Sequence, residues 1–196
     1  MFLSSVNKSW TLETLDWPEF ARQKRKILPF AGQLPQMTLT TPEGQEITTT
    51  QSKNILKVLR DVYQPQEFVA RVRTDEYVDA ADDLSGVTRL CNFAEMYAKD
   101  DAVPKQMKAF SHYLRYLNKT SLASTPFLSS ENPSIADFAW WHIVDMHRTI
   151  SPDDVLSKAP NVVDWLERVA KIDGVDSYLN DRAPLSELGE ARLPKK

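Results

Sequence analysis

Residues 36–62 read QMTLTTPEGQEITTTQSKNILKVLRDV, and the fold turns on this stretch. Two short threonine-rich runs, 36–39 and 45–49, flank Thr41-Pro42-Glu43-Gly44, a proline-then-glycine sequence suited to a tight turn. They are predicted to pair as antiparallel strands. Directly after Gln51-Ser52 the pattern changes to helical spacing, with Ile55, Leu56, Leu59 and Val62 on one face and Lys53, Lys57, Arg60 and Asp61 elsewhere. Gln64-Pro65-Gln66 interrupts that helix, and a domain boundary is placed there.

Upstream, Trp10, Leu12 and Leu15 within 9–15 predict a short strand entering a turn, and Asp16-Trp17-Pro18 opens a basic helical stretch that Pro29 closes. Downstream nothing alternates. Helices are predicted over 68–100, with Gly86 as the place for a bend, then 104–118, 134–149, 161–171 and 175–179. Met107, Phe110, Leu114 and Leu117 recur at helical spacing and belong to a core. The chain therefore divides into a small α/β domain, 1–63, and an all-helical domain, 64–196.

With 196 residues the chain can bury a core without disulfides, and a net charge of −3 exerts no long-range pull on phosphate backbones or anionic lipid. No nucleic acid or membrane partner is expected. The basic cluster RQKRK at 22–26 reads as a solvated helix face, and the opening MFLSSVNKSW has no signal-peptide pattern. The single cysteine, Cys91, cannot close an internal disulfide and reads as a buried structural residue. No Cys/His spacing fits zinc, so no metal is expected, and a reducing, cytoplasmic location fits best. His112, His142 and His147 are too scattered for a triad and are predicted at surface or partly buried helix positions.

Four patterns, in order and covering nearly the whole chain, resemble the cytosolic glutathione transferases, most closely the sigma-like class. They are Asp16-Trp17-Pro18-Glu19 followed by Leu28-Pro29-Phe30 and Gly32-Gln33-Leu34-Pro35; Gln51-Ser52 at a strand-to-helix junction; Phe127-Leu128 followed by Ser134-Ile135-Ala136-Asp137-Phe138; and Ala159-Pro160-Asn161-Val162-Val163-Asp164-Trp165-Leu166 followed by Val175 and Tyr178-Leu179. The resemblance implies an α/β thioredoxin-like N-terminal domain, incomplete here, followed by an all-α C-terminal domain. It also implies glutathione as co-substrate, a small hydrophobic electrophile as second substrate, and a homodimer.

The resemblance carries the glutathione-binding positions to Trp17, Arg25, Gln33, Leu34, Pro35, Gln51, Ser52 and Asp83. Leu34 would pair its backbone with the cysteinyl unit ahead of Pro35, as a peptide adds to a strand edge. Gln51-Ser52 would receive the γ-glutamyl carboxylate at a helix N-terminus. Ser52 on its own also reads as a helix cap. Ser134 would cap the third N–H of its helix while Asp137 reaches back to the Ser134 N–H, a folding element. Asp83 would reach across the dimer to the glutathione amino group, the other carboxylate would meet Arg25 when counted from Leu28-Pro29 or the position of Ala21 when counted from Trp17, and Phe93 and Tyr97 would line the electrophile side.

The family's first strand ends in a tyrosine or serine whose hydroxyl donates to the glutathione sulfur and favours the thiolate. Counted back from Asp16-Trp17-Pro18, the chain begins inside the first helix, so that strand is expected to be absent and the catalytic residue is unknown. Ser4 and Ser5 match the helix end rather than the thiol contact. A detoxifying transferase and a non-catalytic, glutathione-binding or structural homologue are thus both open readings.

Overall fold

A computed structural model of the chain describes residues 1–12, 18–19, 22, 35–41, 43–96, 102–150 and 156–182, with the side chains of 86–96, 102–107 and 149–150 set aside. The elements in order are helix α1 (Phe2–Ser5), strands β1 (Gln36–Thr40) and β2 (Glu46–Thr50), and helices α2 (Ser52–Tyr63), α3 (Phe68–Met96) and α4 (Ala102–Tyr116). A single π-helical turn (Leu117–Ser121) and helices α5 (Ile135–Ile150), α6 (Pro160–Ala170) and α7 (Val175–Asp181) follow. The chain separates into two compact units, one of Lys8–Gln66 and the other of Met1–Asn7 with Glu67–Lys196.

In the smaller unit the predicted hairpin forms as expected. β1 and β2 are antiparallel, with Gln36 opposite Thr50, Thr38 opposite Thr48 and Thr40 opposite Glu46. Thr38 and Thr48 share a cross-strand hydroxyl hydrogen bond of 3.2 Å, a favourable pair for threonine-rich strands. The turn closes through Gly44 N–H to the Thr41 carbonyl at 2.9 Å, with Gly44 at φ +83°, a conformation that favours glycine. On α2 the predicted apolar face is the covered one: Leu59 is buried and Ile55, Leu56 and Val62 are half-buried. Residues 9–12 form no strand, contrary to expectation. Trp10 and Leu12 stay 46% and 71% exposed, so no core face holds the segment in a sheet. Residues 13–15 lie outside the described part.

The larger unit is built around α5. Ile135, Ala136, Phe138, Trp140, Trp141, Ile143 and Val144 are all buried, so most of this helix is covered by its neighbours, with His142 and Arg148 left exposed. α3, which runs unbroken through Gly86, lays Thr74, Val78, Ala81 and Leu84 on it at three- and four-residue spacing. The Trp140 indole N–H donates to the Tyr77 carbonyl at 2.8 Å and ties the two helices. Phe110, Leu114 and Leu117 are buried as predicted.

The start of α5 is held by Asp137, which is fully buried. Its Oδ2 accepts from the Ser134 N–H at 2.9 Å and the Ser134 hydroxyl at 3.1 Å; its Oδ1 accepts from the Leu128 N–H and the Trp165 indole N–H, each at 2.9 Å. The reach of Asp137 back to the cap residue is as predicted. The Ser134 hydroxyl differs: it accepts from the N–H of Ala136 at 3.2 Å, the second helical position rather than the third, because the same hydroxyl donates to the carboxylate and is turned toward it. Burial pushes the Asp137 carboxyl above its ordinary range, and the four donors pull against that rise.

His147, expected at a surface or partly covered position, is 1% exposed. Its ring stacks on Phe110 with centroids 3.8 Å apart and planes 11° from parallel, and its Nδ1 donates to the Ile143 carbonyl at 2.8 Å. The reason is the packing around α5, which leaves that face no access to water. At the far end, buried Asp145 holds Arg148 and Arg182 at 2.7 and 2.6 Å, and Arg182 lies over the Trp141 ring. α1 joins this unit too: Phe2 meets Phe138 edge-on at 5.9 Å, and α1 packs on α7.

Candidate functional site

The chemistry-bearing feature of the smaller unit is the passage from β2 into α2. Thr50 is the last paired residue and is buried, so the chain must leave the sheet and start a helix within one residue. Gln51 does this at φ +73°, ψ +119°, outside the regions open to residues with a Cβ. Strain of this kind costs on the order of 1–3 kcal/mol and persists only where the surroundings impose it. The helix then begins with the Ile55 N–H bonded to the Gln51 carbonyl at 2.9 Å.

That geometry leaves the N–H groups of Ser52, Lys53 and Asn54 ahead of the first helical hydrogen bond. No side chain caps the terminus from Gln51, and no acidic residue lies in the first turn to neutralise it. Gln51 and Ser52 are both exposed. The Asn54 amide braces the junction from below by donating to the Thr49 hydroxyl at 2.6 Å. An outward-facing helix N-terminus with a serine at its first position is suited to a carboxylate.

The register brings a third predicted residue to the same place. Gln36 pairs with Thr50, so Pro35 lies one step beyond that pair, at the end of the hairpin where Gln51 and Ser52 sit. Pro35, Gln51 and Ser52 are thereby gathered. Trp17, Arg25, Gln33 and Leu34 lie outside the described residues. Asp83 is exposed on α3, in the larger unit. Cys91 and Phe93 lie on α3 with side chains outside the description, as is Tyr97 altogether. Sequence reasoning missed the backbone strain at Gln51 and the Asn54 brace. The Thr49-x-Gln51-Ser52-x-Asn54 spacing was a signal for the brace, but no residue type signals a strained glutamine. Among the described residues no group of three His, Cys, Asp or Glu side chains could hold a metal ion, and no helix is long and apolar enough to cross a membrane.

Residues 91–182 match the family model described as the glutathione S-transferase C-terminal domain. Over those residues the chain carries a glutathione S-transferase C-terminal domain. The match spans the features just described: the Asp137 cap, the proline-started α6, and α7. No curated protein matches the chain in sequence. Solved structures extend the likeness of fold over 93% to 98% of the chain. A glutathione S-transferase from Ascaris lumbricoides is 18% identical at a TM-score of 0.74, over 93% of this chain and 89% of that one. A Pi-class glutathione S-transferase from Onchocerca volvulus is 20% identical at 0.69, over 98% and 88%. One from Xanthobacter autotrophicus Py2 is 22% identical at 0.70, over 95% and 90%. The architecture read from the sequence is thus that of the glutathione transferases: a short antiparallel sheet with its helix, then a helical domain.

Proposed function

We propose that the chain binds glutathione at the β2–α2 junction and conjugates its thiol to small hydrophobic electrophiles, as a transferase of sigma-like type. The single observation that carries this reading is Gln51 at φ +73°, which turns Ser52 and the first N–H groups of α2 outward at the hairpin end that also bears Pro35. A strained residue at a helix N-terminus is a position maintained for a ligand rather than for stability. The γ-glutamyl carboxylate is the ligand group that fits it. Trp17, Arg25, Gln33 and Leu34 are proposed to complete the site, with Asp83 contributed across a homodimer and the location cytoplasmic. The dimer is supported by Phe68, Val69 and Val72, which sit at the start of α3 and are 67%, 64% and 50% exposed.

A specific observation favours a second reading, a glutathione-binding homologue without turnover. The Ser5 hydroxyl donates to the Phe2 carbonyl at 2.7 Å and is thereby engaged within its own helix. Two measurements separate the readings: retention on immobilised glutathione, and conjugation of a chlorodinitrobenzene. Retention with turnover supports the transferase, retention without turnover supports the homologue, and loss of retention overturns both.

A further inference from the structure

We infer that the larger unit carries a second ligand site, an aromatic cage for a small organic cation of the quaternary or alkylated ammonium class. It goes beyond the glutathione reading and does not depend on it. A cleft of about 210 Å³ opens between α3, α4 and α5, walled by Tyr77, Tyr113, Tyr116 and Trp140, with Glu76 and His112 at its mouth. It is remote from the electrophile side implied by Phe93. Tyr77 and Phe93 are sixteen residues apart on one helix, about 24 Å along its axis.

The wall chemistry selects the ligand. The Trp140 indole N–H is committed to the Tyr77 carbonyl at 2.8 Å, and the Tyr77 hydroxyl is bonded to the Ser121 hydroxyl. With these polar ends turned into the fold and Trp140 itself buried behind Tyr113, the accessible aromatic surface left for a guest is that of the tyrosines. Tyr113 meets Trp140 at 5.4 Å between centroids with planes inclined 52°, and His112 meets Tyr113 at 6.1 Å and 76°. Tyr77, Tyr113 and Tyr116 supply π-surface along the cleft, the chemistry that attracts an alkylated ammonium. Among the described residues the one carboxylate of the lining is Glu76, and no lysine or arginine lines the cleft. The Glu76 carboxylate at the mouth disfavours an anion and favours a cation over a neutral guest of the same shape.

A local irregularity builds the cage. α4 does not end at Tyr116 but passes into the π-helical turn Leu117–Ser121, where the Leu122 N–H bonds the Leu117 carbonyl five residues back. The wider turn presents Ser121 to Tyr77 and is clasped by Asn161, whose N–H and side-chain amide donate to Asn118 at 2.9 and 2.8 Å. Such turns cost stability and concentrate where a ligand is bound.

The test uses choline and its neutral isostere 3,3-dimethylbutan-1-ol, titrated into the full chain by calorimetry and ligand-observed NMR. Choline is expected to bind saturably and at least tenfold more tightly than the isostere. Glu76→Gln and Tyr116→Ala, both exposed positions, are each expected to weaken choline by about threefold to tenfold while the melting temperature stays within a few degrees of the parent's. Equal affinity for the two compounds, no saturable choline binding, or unchanged affinity in both folded variants overturns the inference.

Discussion

The Trp165 indole N–H donates to Oδ1 of Asp137 at 2.9 Å, joining α6 to the cap of α5 inside the core. The same oxygen accepts from the Leu128 N–H, and the other oxygen serves Ser134, so one carboxylate organises three segments. Removing it strands buried donors. Asp137→Ala is expected to cost about 3–5 kcal/mol, and Trp165→Phe, which deletes one bond to a charged acceptor, about 1.5–3 kcal/mol. Urea titration of both variants checks the pair. Near-parent stability of Asp137→Ala would sink this account of the cap.

Gly174 presses against Ser4. An added Cβ would lie 2.5 Å from the Ser4 carbonyl oxygen, and the residue sits at φ +76°. Gly174→Ala therefore combines a clash with an unfavourable backbone, and a loss of about 2–3 kcal/mol is expected. Because the clash is with α1, Phe2→Ala in the same background should cost less than it does in the parent. Additive losses in a double-mutant cycle would show that α1 does not pack there.

Gln51 sets stability against binding. Gln51→Gly removes the Cβ that makes φ +73° unfavourable and is expected to raise the stability of the chain by about 1 kcal/mol. Ser52→Ala, at an exposed position, is expected to leave stability within about 1 kcal/mol while reducing retention on immobilised glutathione several-fold. A Ser52→Ala protein retained as well as the parent removes the helix-terminus assignment.

His147 makes the fold sensitive to acid. Burial lowers its pKa below the ordinary 6.5, opposed by the bond to the Ile143 carbonyl. On acidification the unfolded chain takes the proton first, so stability that is full above pH 6.5 is lost as the pH falls through that value toward the folded pKa. Asp137, with its carboxyl raised by burial, acts oppositely: its ionisation in the fold is a cost that is relieved as the pH falls through its folded pKa. Replacing His147 isolates the first effect. His147→Gln should lose less stability than the parent between pH 7 and 5 in parallel denaturant titrations. A steeper or equal loss contradicts the assignment.

The sequence by itself determined the local elements: the hairpin, the helix after Gln51-Ser52, the amphipathic faces, and the carboxylate returning to its own cap. These rest on neighbours a few positions apart, so periodicity, turn residues and capping spacing report them directly. What only the tertiary structure decided depends on residues distant in the chain. Trp165 completes the Asp137 cap from 28 positions away, Ser4 closes on Gly174, and the packing around α5 buries His147. The strain at Gln51 belongs with these, because a glutamine adopts that backbone only where strand pairing on one side and helix start on the other leave the chain no other path.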